Sequence, residues 1–314
     1  MITIIAGSRC QNLAGRIAGK LNDNLKGSSP VNCRDKSDVK LIYPEFKIFP
    51  DGEIYVKIRQ EDIDYIDNSR CAVVQSMYPG VNDAFVELML MLDLVSDYCA
   101  KSITSVVPYL GYARADKRFC EGEAVSAKTI LKMIYKFSDN LITVNCHFFD
   151  EGGRFNYSGM DITNLDAFPL VANHFNGLEK PALIAPDKGS RIYAKAAADV
   201  IGCDFGYLNK TRISGKKVVM EKKVYPETLR VEGADVVILD DMISTGGTII
   251  EASNVLRTLG AGTINVGCVH GVFSNGVEIF EGVIDSLVCT DTIERGESAV
   301  SVSSLVCDEI ASKF

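Results

Sequence analysis

Short runs of apolar, β-branched residues alternate with stretches of helical periodicity along the whole chain. Strand-like runs such as ITIIAG and DVVILDD are each followed by a stretch with apolar residues three and four apart, such as LAGRIAGKL and IIEASNVLRTLG. Repeated strand–helix–strand units of this kind predict parallel sheets with helices on both faces. Because the rhythm recurs in both halves, we predict an α/β protein of two similar, doubly wound parallel-sheet domains.

One segment, DEGGRFNYSGMDITN at 150–164, interrupts this rhythm, because it is rich in Gly, Asn and Asp and weakly periodic. We place the domain boundary there, with an N-terminal domain over residues 1–157 and a C-terminal domain over 158–298. The last residues, 299–314, are predicted to form an amphipathic helix. The polar segment 26–47 lacks helical periodicity and is predicted to be an insertion.

Composition limits the function classes. The chain has 314 residues, 47% hydrophobic and 24% charged, which is typical of a globular protein large enough for two cores. A net charge of −8 without a run of Lys or Arg argues against nonspecific nucleic-acid binding.

The most apolar stretch, 84–95, is interrupted by Glu87 and Asp93 and is too short to span a bilayer. Ten cysteines without a C-x-x-C pair indicate reduced thiols. We expect a cytoplasmic protein with no membrane or nucleic-acid partner.

Residues 236–249, VVILDDMISTGGTI, carry the clearest chemical signal. A buried strand ends in an acid pair, and a hydroxyl- and glycine-rich turn then opens a predicted helix. Backbone N–H groups and the positive end of a helix suit a phosphate, whereas carboxylates beside it suit sugar hydroxyls or Mg²⁺. Simple helix capping and chain turning is the alternative, but the full arrangement favours a phosphorylated sugar. The candidate ligand-binding residues are Asp240, Asp241, Ser244, Thr245, Gly246, Gly247 and Thr248.

This stretch closely resembles the ribose-5-phosphate loop of type I phosphoribosyltransferases, and specifically that of ribose-phosphate diphosphokinases, which make phosphoribosyl pyrophosphate (PRPP). Further segments resemble that family in its own order: FPDGEIYVKI at 49–58, PYLGYARADKR at 108–118, TVNCH at 143–147, PDKGSRIYAKAAAD at 186–199, LNKTR at 208–212 and CVHGVFSNG at 268–276. The resemblance covers nearly the whole chain and implies a duplicated type I phosphoribosyltransferase-like fold. It also implies an N-terminal domain that contributes to the ATP site, with the C-terminal helix packed on it, and a C-terminal domain that binds ribose phosphate.

The implied activity is transfer of the β,γ-diphosphoryl group of ATP to the C1 hydroxyl of ribose 5-phosphate, giving PRPP and AMP. Such a reaction needs cations over the polyphosphate, a metal, alignment and exclusion of water, with little covalent help from the protein. The resemblance therefore implies Mg²⁺ as cofactor, and ATP and a phosphorylated ribose as ligands. It also implies a homo-oligomer, because the family's ATP site combines two subunits.

Lys210 and Arg212 match the family's mobile catalytic loop and are the candidates for stabilising the transferred charge. They lie two residues apart in LNKTRISGKKV, which we predict to be a loop just after a strand. Both could reach the same ligand if the segment is extended. From the residues alone, a solvated basic surface loop is the alternative, because four more lysines follow by position 223.

His147 and Asp187 are the candidate metal ligands. A histidine at the end of the apolar run LITV can hold a metal that bridges ATP phosphates, or can be a hydrogen-bonded structural residue. Asp187 opens a loop before a helix, where it binds metal, caps the helix or does both. The next residues are the candidates for holding pyrophosphate at the helix start: Lys188, Gly189, Ser190 and Arg191. The family typically has Asp two residues before the histidine, but this chain has Asn145, which removes one negative charge that Asp150 or Glu151 could replace.

Two segments are candidates for binding ATP. In FPDGE, an aromatic ring could stack on the purine while two carboxylates accept from its exocyclic amine or a ribose hydroxyl; an ordinary turn entering a strand is the alternative. In YARADKR, an arginine supplies a cation for the phosphates. The family commonly has Gln after this arginine, whereas this chain has Ala115, which would weaken or relax base recognition. The candidate ATP-binding residues are Phe49, Asp51, Glu53, Arg114 and Asp116.

Three other functions remain open. The same chemistry could act on a larger acceptor such as ADP-ribose, which Ala115 and the altered region 145–164 favour. A catalytically silent homologue could regulate a true synthetase, which Asn145 favours, whereas intact Lys210 and Arg212 oppose it. A phosphoribosyltransferase that uses a nucleobase is disfavoured by the FPDGE and YARADKR segments, which that class does not need.

Overall fold

The structure, a computed structural model, describes residues 1–27, 39–188, 190–214 and 217–313. The chain divides into two compact units. The first unit comprises Met1–Leu165, Thr292–Glu294 and Ser301–Phe314, and the second comprises Asp166–Asp291 and Arg295–Val300. Each unit contains one seven-stranded, mostly parallel sheet with helices packed on it, which confirms the predicted α/β class.

The first unit follows the predicted alternation of strands and helices. Its elements are β1 (Ile2–Ala6), α1 (Gln11–Gly27), β2 (Val39–Ile42), β3 (Glu45–Ile48), β4 (Ile54–Lys57), α2 (Gln60–Ile63), β5 (Arg70–Val74), α3 (Val81–Asp97), β6 (Ser102–Val107), α4 (Ser126–Tyr135), β7 (Asn140–Val144), β8 (Gly153–Tyr157) and β9 (Met160–Leu165). The sheet order is β2-β1-β5-β6-β7-β9-β8, with all pairs parallel except β8 with β9. Strands such as β1 and β5 are buried along nearly their whole length, which explains their continuous apolar runs.

The prediction of an insertion at 26–47 is wrong in part, because residues 26 and 27 belong to α1. Residues 39–42 belong to a sheet strand, because β2 pairs in parallel with β1, and 45–48 form one arm of a separate hairpin. The rest of the predicted insertion includes residues 28–38, which lie outside the described residues. The division between the units falls after Leu165 rather than at 157, because β9 pairs with β7 and β8 closes against β9.

The second unit repeats this architecture. Its elements are α5 (Phe168–His174), β10 (Pro181–Ala185), α6 (Arg191–Ile201), β11 (Asp204–Ser214), β12 (Lys217–Tyr225), β13 (Asp235–Ile243), α7 (Gly247–Thr258), β14 (Thr263–Gly271), β15 (Ser286–Thr290) and β16 (Ser298–Val300). The sheet order is β12-β11-β10-β13-β14-β15-β16, parallel except for β11 with β12. From β10 the chain runs outward to β11 on one side, and it then returns to β13 on the other side of β10. The boundary between β10 and β13 is therefore the point where the strand order reverses, which is where open α/β sheets bind ligands.

The last part of the chain contributes to both units. The terminal helix was predicted over 299–314, but it spans only Ser303–Lys313 as α8, because residues 298–300 pair with β15 as the edge strand β16. This helix packs against α1 in the first unit. Glu294 also belongs to the first unit, where its carboxylate accepts hydrogen bonds from the Leu13 N–H at 2.6 Å and the Asn12 side-chain amide at 2.8 Å, in the first turn of α1.

Two further properties bear on the expected compartment. Within the part of the chain that the structure describes, no helix is both long and apolar enough to cross a membrane. The nine cysteines among the described residues form no disulfide.

Candidate active site

The predicted sugar-phosphate loop lies at the strand-order reversal of the second unit. β13 ends at Ile243 and α7 begins at Gly247, so three residues make the whole connection. Gly246 adopts a left-handed backbone with φ of +80°. The N-cap position of α7 is Gly246 itself, which has no side chain that could accept from the first N–H groups of the helix. A helix start of this kind suits an anion.

A neighbouring turn holds this loop in place. The N–H and Oγ of Ser274 both donate to the carbonyl of Ser244, at 2.9 and 3.3 Å. The side-chain amide of Asn275 donates to the carbonyl of Thr245 at 3.2 Å. Because these bonds occupy the carbonyls, they fix the orientation of the loop backbone. The sequence interpretation treated 268–276 only as a late strand and turn and missed this role.

Carboxylates from two strand ends meet beside the loop. The Ser190 Oγ lies 3.2 Å from Asp187 Oδ1 and 3.5 Å from Asp240 Oδ1, and the Asp241 N–H donates to Asp240 Oδ1 at 3.0 Å. Burial raises the pKa of the Asp240 carboxyl well above its ordinary value, and the nearby carboxylates of Asp241 and Asp187 raise it further. The site therefore concentrates negative charge that a cation or hydroxyl donors would offset.

The predicted pyrophosphate loop follows β10. Asp187 Oδ1 accepts from the backbone N–H of Ser190 at 3.1 Å, and Ser190 stands directly before α6. This contact is the capping interaction that the sequence offered as one alternative for Asp187; its role at a metal stays a prediction. Lys188 and Arg191 are exposed. Gly189 lies outside the described residues.

Lys210 and Arg212 lie in a strand, so the prediction of a loop was wrong. Both positions belong to β11, where Lys210 is opposite Met220 and Arg212 is opposite Val218 of the antiparallel strand β12. The physical reason is that β12 supplies hydrogen-bond partners along the segment, which an unpaired loop would lack. The structure describes the backbone at these two positions; their side chains lie outside the described part of the chain, and the proposed catalytic role is untested.

In the first unit, the FPDGE segment closes the hairpin of β3 and β4. The Phe49 N–H donates to the Glu53 carbonyl at 2.8 Å, and the Glu53 N–H donates to Asp51 Oδ1 at 3.1 Å. The segment is therefore the turn that the sequence gave as an alternative. Both carboxylates are exposed and Phe49 is 46% exposed, with its ring edge-on to Tyr55; their role in binding ATP stays a prediction.

The YARADKR segment follows β6 and is anchored from the β8–β9 hairpin. The hydroxyl of Tyr157 donates to the carbonyl of Asp116 at 2.6 Å. The Tyr157 ring also contacts Phe148, with ring centroids 4.9 Å apart, and Phe148 directly follows His147. Arg114 is exposed and Asp116 is half-buried. Tyr157 thus links the segment that carries Arg114 to the segment that carries His147.

His147 is exposed, whereas Asn145 is buried at 3% exposure. The backbone of Asn145 has φ of +35°, a left-handed conformation that Asn adopts more readily than most residues. An Asn at this position therefore has a backbone explanation in addition to its effect on charge. Among the described residues, no three His, Cys, Asp or Glu side chains are grouped so as to hold a metal ion.

The strand-order reversal of the first unit, between β1 and β5, is filled by side chains. Glu87, 2% exposed, pairs with Arg9 at 2.7 Å and accepts from the Gln75 amide at 2.7 Å. The Arg9 N–H donates to the Gln75 side-chain oxygen at 3.1 Å. The position that carries the sugar-phosphate candidates in the second unit is therefore occupied by an internal ion pair in the first.

Family models match both units. Residues 2–137 match the N-terminal domain of ribose phosphate pyrophosphokinase, and residues 170–300 match the phosphoribosyl transferase domain. The chain is 38% identical over 288 residues to ribose-phosphate pyrophosphokinase 2 of Archaeoglobus fulgidus, covering 90% of this chain and 97% of that protein. It is 35% identical over 308 residues to the ribose-phosphate pyrophosphokinase of Methanothermobacter thermautotrophicus, covering 97% and 98%. The chain belongs to the ribose-phosphate pyrophosphokinase family.

A solved structure supports the fold of this pyrophosphokinase. The crystal structure of phosphoribosylpyrophosphate synthetase from Mycobacterium smegmatis matches with a TM-score of 0.77 at 23% identity, covering 100% of this chain and 98% of that one. At this identity the match concerns the fold alone. Together with the family models, it confirms the duplicated phosphoribosyltransferase-like architecture that the sequence resemblance implied.

Gly246→Ala is expected to destabilise the protein by about 1–3 kcal/mol, because two costs combine. The substitution strains a backbone at φ of +80°, and the new Cβ would lie 2.6 Å from Ile279 Cδ1 and 2.8 Å from Phe280 Cζ. Gly247→Ala is the matched control, since its Cβ meets only the Thr245 Oγ1 at 4.0 Å. Urea unfolding without ligands measures both; equal stability of the two variants would contradict this account of the loop.

Tyr157→Phe is expected to raise the KM for ATP about fivefold, because it removes one hydrogen bond to the Asp116 carbonyl and keeps the ring contact. Thermal unfolding should change little. Tyr65→Phe is the control, because Tyr65 precedes the amino end of β5, at the opposite edge of the sheet. Steady-state kinetics at saturating ribose 5-phosphate tests this; an unchanged KM for ATP would show that the bond does not position the nucleotide segment.

Proposed function

We propose that this protein transfers the β,γ-diphosphoryl group of ATP to the C1 hydroxyl of ribose 5-phosphate, giving PRPP and AMP. The observation that carries the proposal is the site at the strand-order reversal of the second unit. There, a half-buried acid pair at the end of β13 is followed, after a three-residue loop, by a helix start with glycine at its N-cap position. The family membership supplies the nucleotide half of the reaction.

The second unit is proposed to bind the acceptor. Backbone N–H groups of 244–248 at the start of α7 hold the 5-phosphate, and the bonds from Ser274 and Asn275 keep that backbone oriented. Asp240 and Asp241 accept hydrogen bonds from the ribose hydroxyls, which relieves part of the carboxylate repulsion. Fixing both ends of the sugar orients its C1 hydroxyl, so positioning rather than covalent chemistry accelerates the transfer.

Mg²⁺ fits the oxygen donors near Ser190. Asp187 and Asp240 bring two carboxylates to one hydroxyl, and Mg²⁺ is usually held by one or two carboxylates together with substrate phosphates and water. We propose Asp187 as a protein ligand of the ion in the second unit; His147 stays a separate prediction for the first unit. When bound, the ion would supply positive charge to the polyphosphate oxygens. Substrate phosphates and water would complete its coordination.

Lys210 and Arg212 are proposed to neutralise charge on the diphosphoryl group as it is transferred. Support comes from the match of LNKTR to the family and from the extended backbone at both positions. Lys188, Ser190 and Arg191 are proposed to contact the pyrophosphate at the start of α6, where two of the three side chains are exposed cations.

The first unit is proposed to bind ATP, through Phe49, Asp51 and Glu53 on the hairpin and through Arg114 and Asp116 on the segment after β6. The exposed hairpin supports a homo-oligomer in which the ATP site is shared between subunits, because Ile48 and Phe49 are 63% and 46% exposed. Analytical ultracentrifugation measures the assembly directly.

The deciding experiment incubates the protein with ATP and Mg²⁺ and either ribose 5-phosphate or ADP-ribose. AMP release is followed, and the phosphorylated product is identified by ³¹P NMR. We expect AMP and PRPP with ribose 5-phosphate. AMP only with ADP-ribose would assign the larger acceptor instead, and no AMP with either would support a regulatory, catalytically silent protein.

A further inference from the structure

Phe119 is more exposed than any other large apolar side chain that the structure describes, at 70%. A phenyl ring exposed to water does not contribute the hydrophobic free energy that its burial would provide. A single exposed apolar residue is common on protein surfaces, so exposure alone assigns nothing. The local structure around Phe119 adds two observations.

The turn that carries Phe119 is held by a network of hydrogen bonds. One carboxylate oxygen of Glu123 accepts from the N–H groups of Phe119 and Cys120, at 2.9 and 3.1 Å. The Glu123 carbonyl accepts from Arg118 Nε at 3.0 Å, and the Glu123 N–H donates to the Cys120 carbonyl at 3.3 Å. These bonds to the N–H groups lower the pKa of the Glu123 carboxyl. The ring is therefore presented by an ordered turn.

The turn also lies within the segment proposed to hold ATP. Phe119 follows Arg114 by five residues, which limits their separation to about 17 Å of chain. Asp116, between them, is anchored by Tyr157. The segment connects β6 to α4 and so lies at the carboxyl edge of the sheet, where α/β proteins bind ligands. The Lys117 ammonium lies 5.6 Å from the Phe119 ring centroid, so one positive charge lies next to the ring.

We propose that Phe119 is a base-stacking residue that covers one face of the adenine ring of ATP when Arg114 contacts its phosphates. Aromatic side chains bind bases by stacking whatever the base, and removing one such ring typically weakens binding by about tenfold or more. The inference rests on the proposed function, because it takes ATP as the ligand. It adds a specificity residue of the first unit that is separate from the Phe49 hairpin.

The absence of tryptophan from the 314-residue sequence provides the test. Phe119→Trp introduces a single indole, whose fluorescence is titrated with ATP and with inorganic tripolyphosphate, both with Mg²⁺. Stacking predicts that ATP quenches the emission, whereas tripolyphosphate competes with ATP without quenching. Tyr65→Trp, before the amino end of β5 and so at the opposite edge of the sheet, should respond to neither ligand.

Kinetics supply the second measurement. Phe119→Leu should raise the KM for ATP about tenfold and leave kcat and the KM for ribose 5-phosphate nearly unchanged, whereas Phe119→Tyr should behave like the native enzyme. Circular dichroism and thermal unfolding check that both variants fold.

Three results would overturn the inference. The first is an active Phe119→Trp protein whose fluorescence does not change when ATP is added. The second is a fluorescence that changes with protein concentration, as expected if Phe119 lies in a subunit contact. The third is an unchanged KM for ATP in Phe119→Leu. The proposed function fails separately, if no AMP forms with any acceptor. Quenching by ATP but not by tripolyphosphate would then still support base stacking.

Discussion

Replacing Lys210 and Arg212 together with alanine is expected to lower kcat by at least about 10³-fold, with the KM for ribose 5-phosphate nearly unchanged. Cations that neutralise a transferring phosphoryl group contribute mainly in the transition state, and a single such arginine can account for about 10³–10⁵ in rate. The backbone at both positions is paired in a strand, so alanine should be tolerated by the fold. Steady-state assays of AMP release over a range of both substrates separate kcat from KM.

The matched control is the pair Lys222→Ala and Lys223→Ala on the neighbouring strand β12. It removes the same charge from two exposed positions, one of which forms an exposed ion pair with Glu227 and lies 4.7 Å from the ring centroid of Tyr225. Exposed pairs of this kind contribute little to stability. If the control loses as much activity as the Lys210 and Arg212 variant, general positive charge rather than a specific contact explains the effect. If the catalytic pair can be removed with turnover nearly intact, the assignment is wrong.

Asp240→Asn is expected to change stability and activity in opposite directions. Without ligands, an amide in place of the carboxylate removes repulsion with Asp241 and Asp187 at a half-buried position, so the free energy of unfolding should rise. With substrates, the loss of a charged acceptor for the ribose hydroxyls should lower kcat/KM for ribose 5-phosphate by about 10²-fold or more. Urea unfolding in EDTA and AMP-release assays measure the two effects.

Asp235→Asn, at the other end of β13, is the matched control. Its carboxylate accepts from the Lys180 N–H at 3.1 Å and from Thr263 Oγ1 at 2.8 Å, and these bonds lower its pKa. Losing this carboxylate should therefore reduce stability at neutral pH and leave kcat/KM nearly unchanged. A drop in stability for both variants would show that the Asp240 carboxylate is a structural acceptor rather than an unfavourable charge retained for binding.

The sugar-phosphate site could be located from sequence because its parts are adjacent along the chain. An apolar run, two acids, a glycine turn and a helical pattern follow one another within 236–258, and the structure forms β13, the turn and α7 in that order. Strand pairing could not be predicted in this way, because no pattern in the sequence of β10 indicates that it lies beside β13. The approach of Asp187 and Asp240 at Ser190 was not predicted from the sequence, because it results from the pairing of β10 with β13.

The errors arise from partners that the local pattern of a segment does not reveal. The segment with Lys210 and Arg212 was predicted to be a loop just after a strand, but pairing with the following strand, β12, made it part of β11. Tyr157 holds Asp116 across 41 residues through one side-chain hydroxyl and one backbone carbonyl, a contact without any periodic pattern. Such positions become visible only when the fold has brought their backbones together.

The path of the C-terminal segment limits how this protein can be divided. Because α8 packs on α1 and Glu294 accepts bonds from its first turn, a fragment ending at residue 165 would lack two parts of its own unit. A gene split at the midpoint would therefore yield an incomplete first half. A chimaera that takes its second unit from a relative must keep residues 301–314 of this chain, because they belong to the first unit. Recombination therefore requires at least two crossovers, one before and one after the second unit.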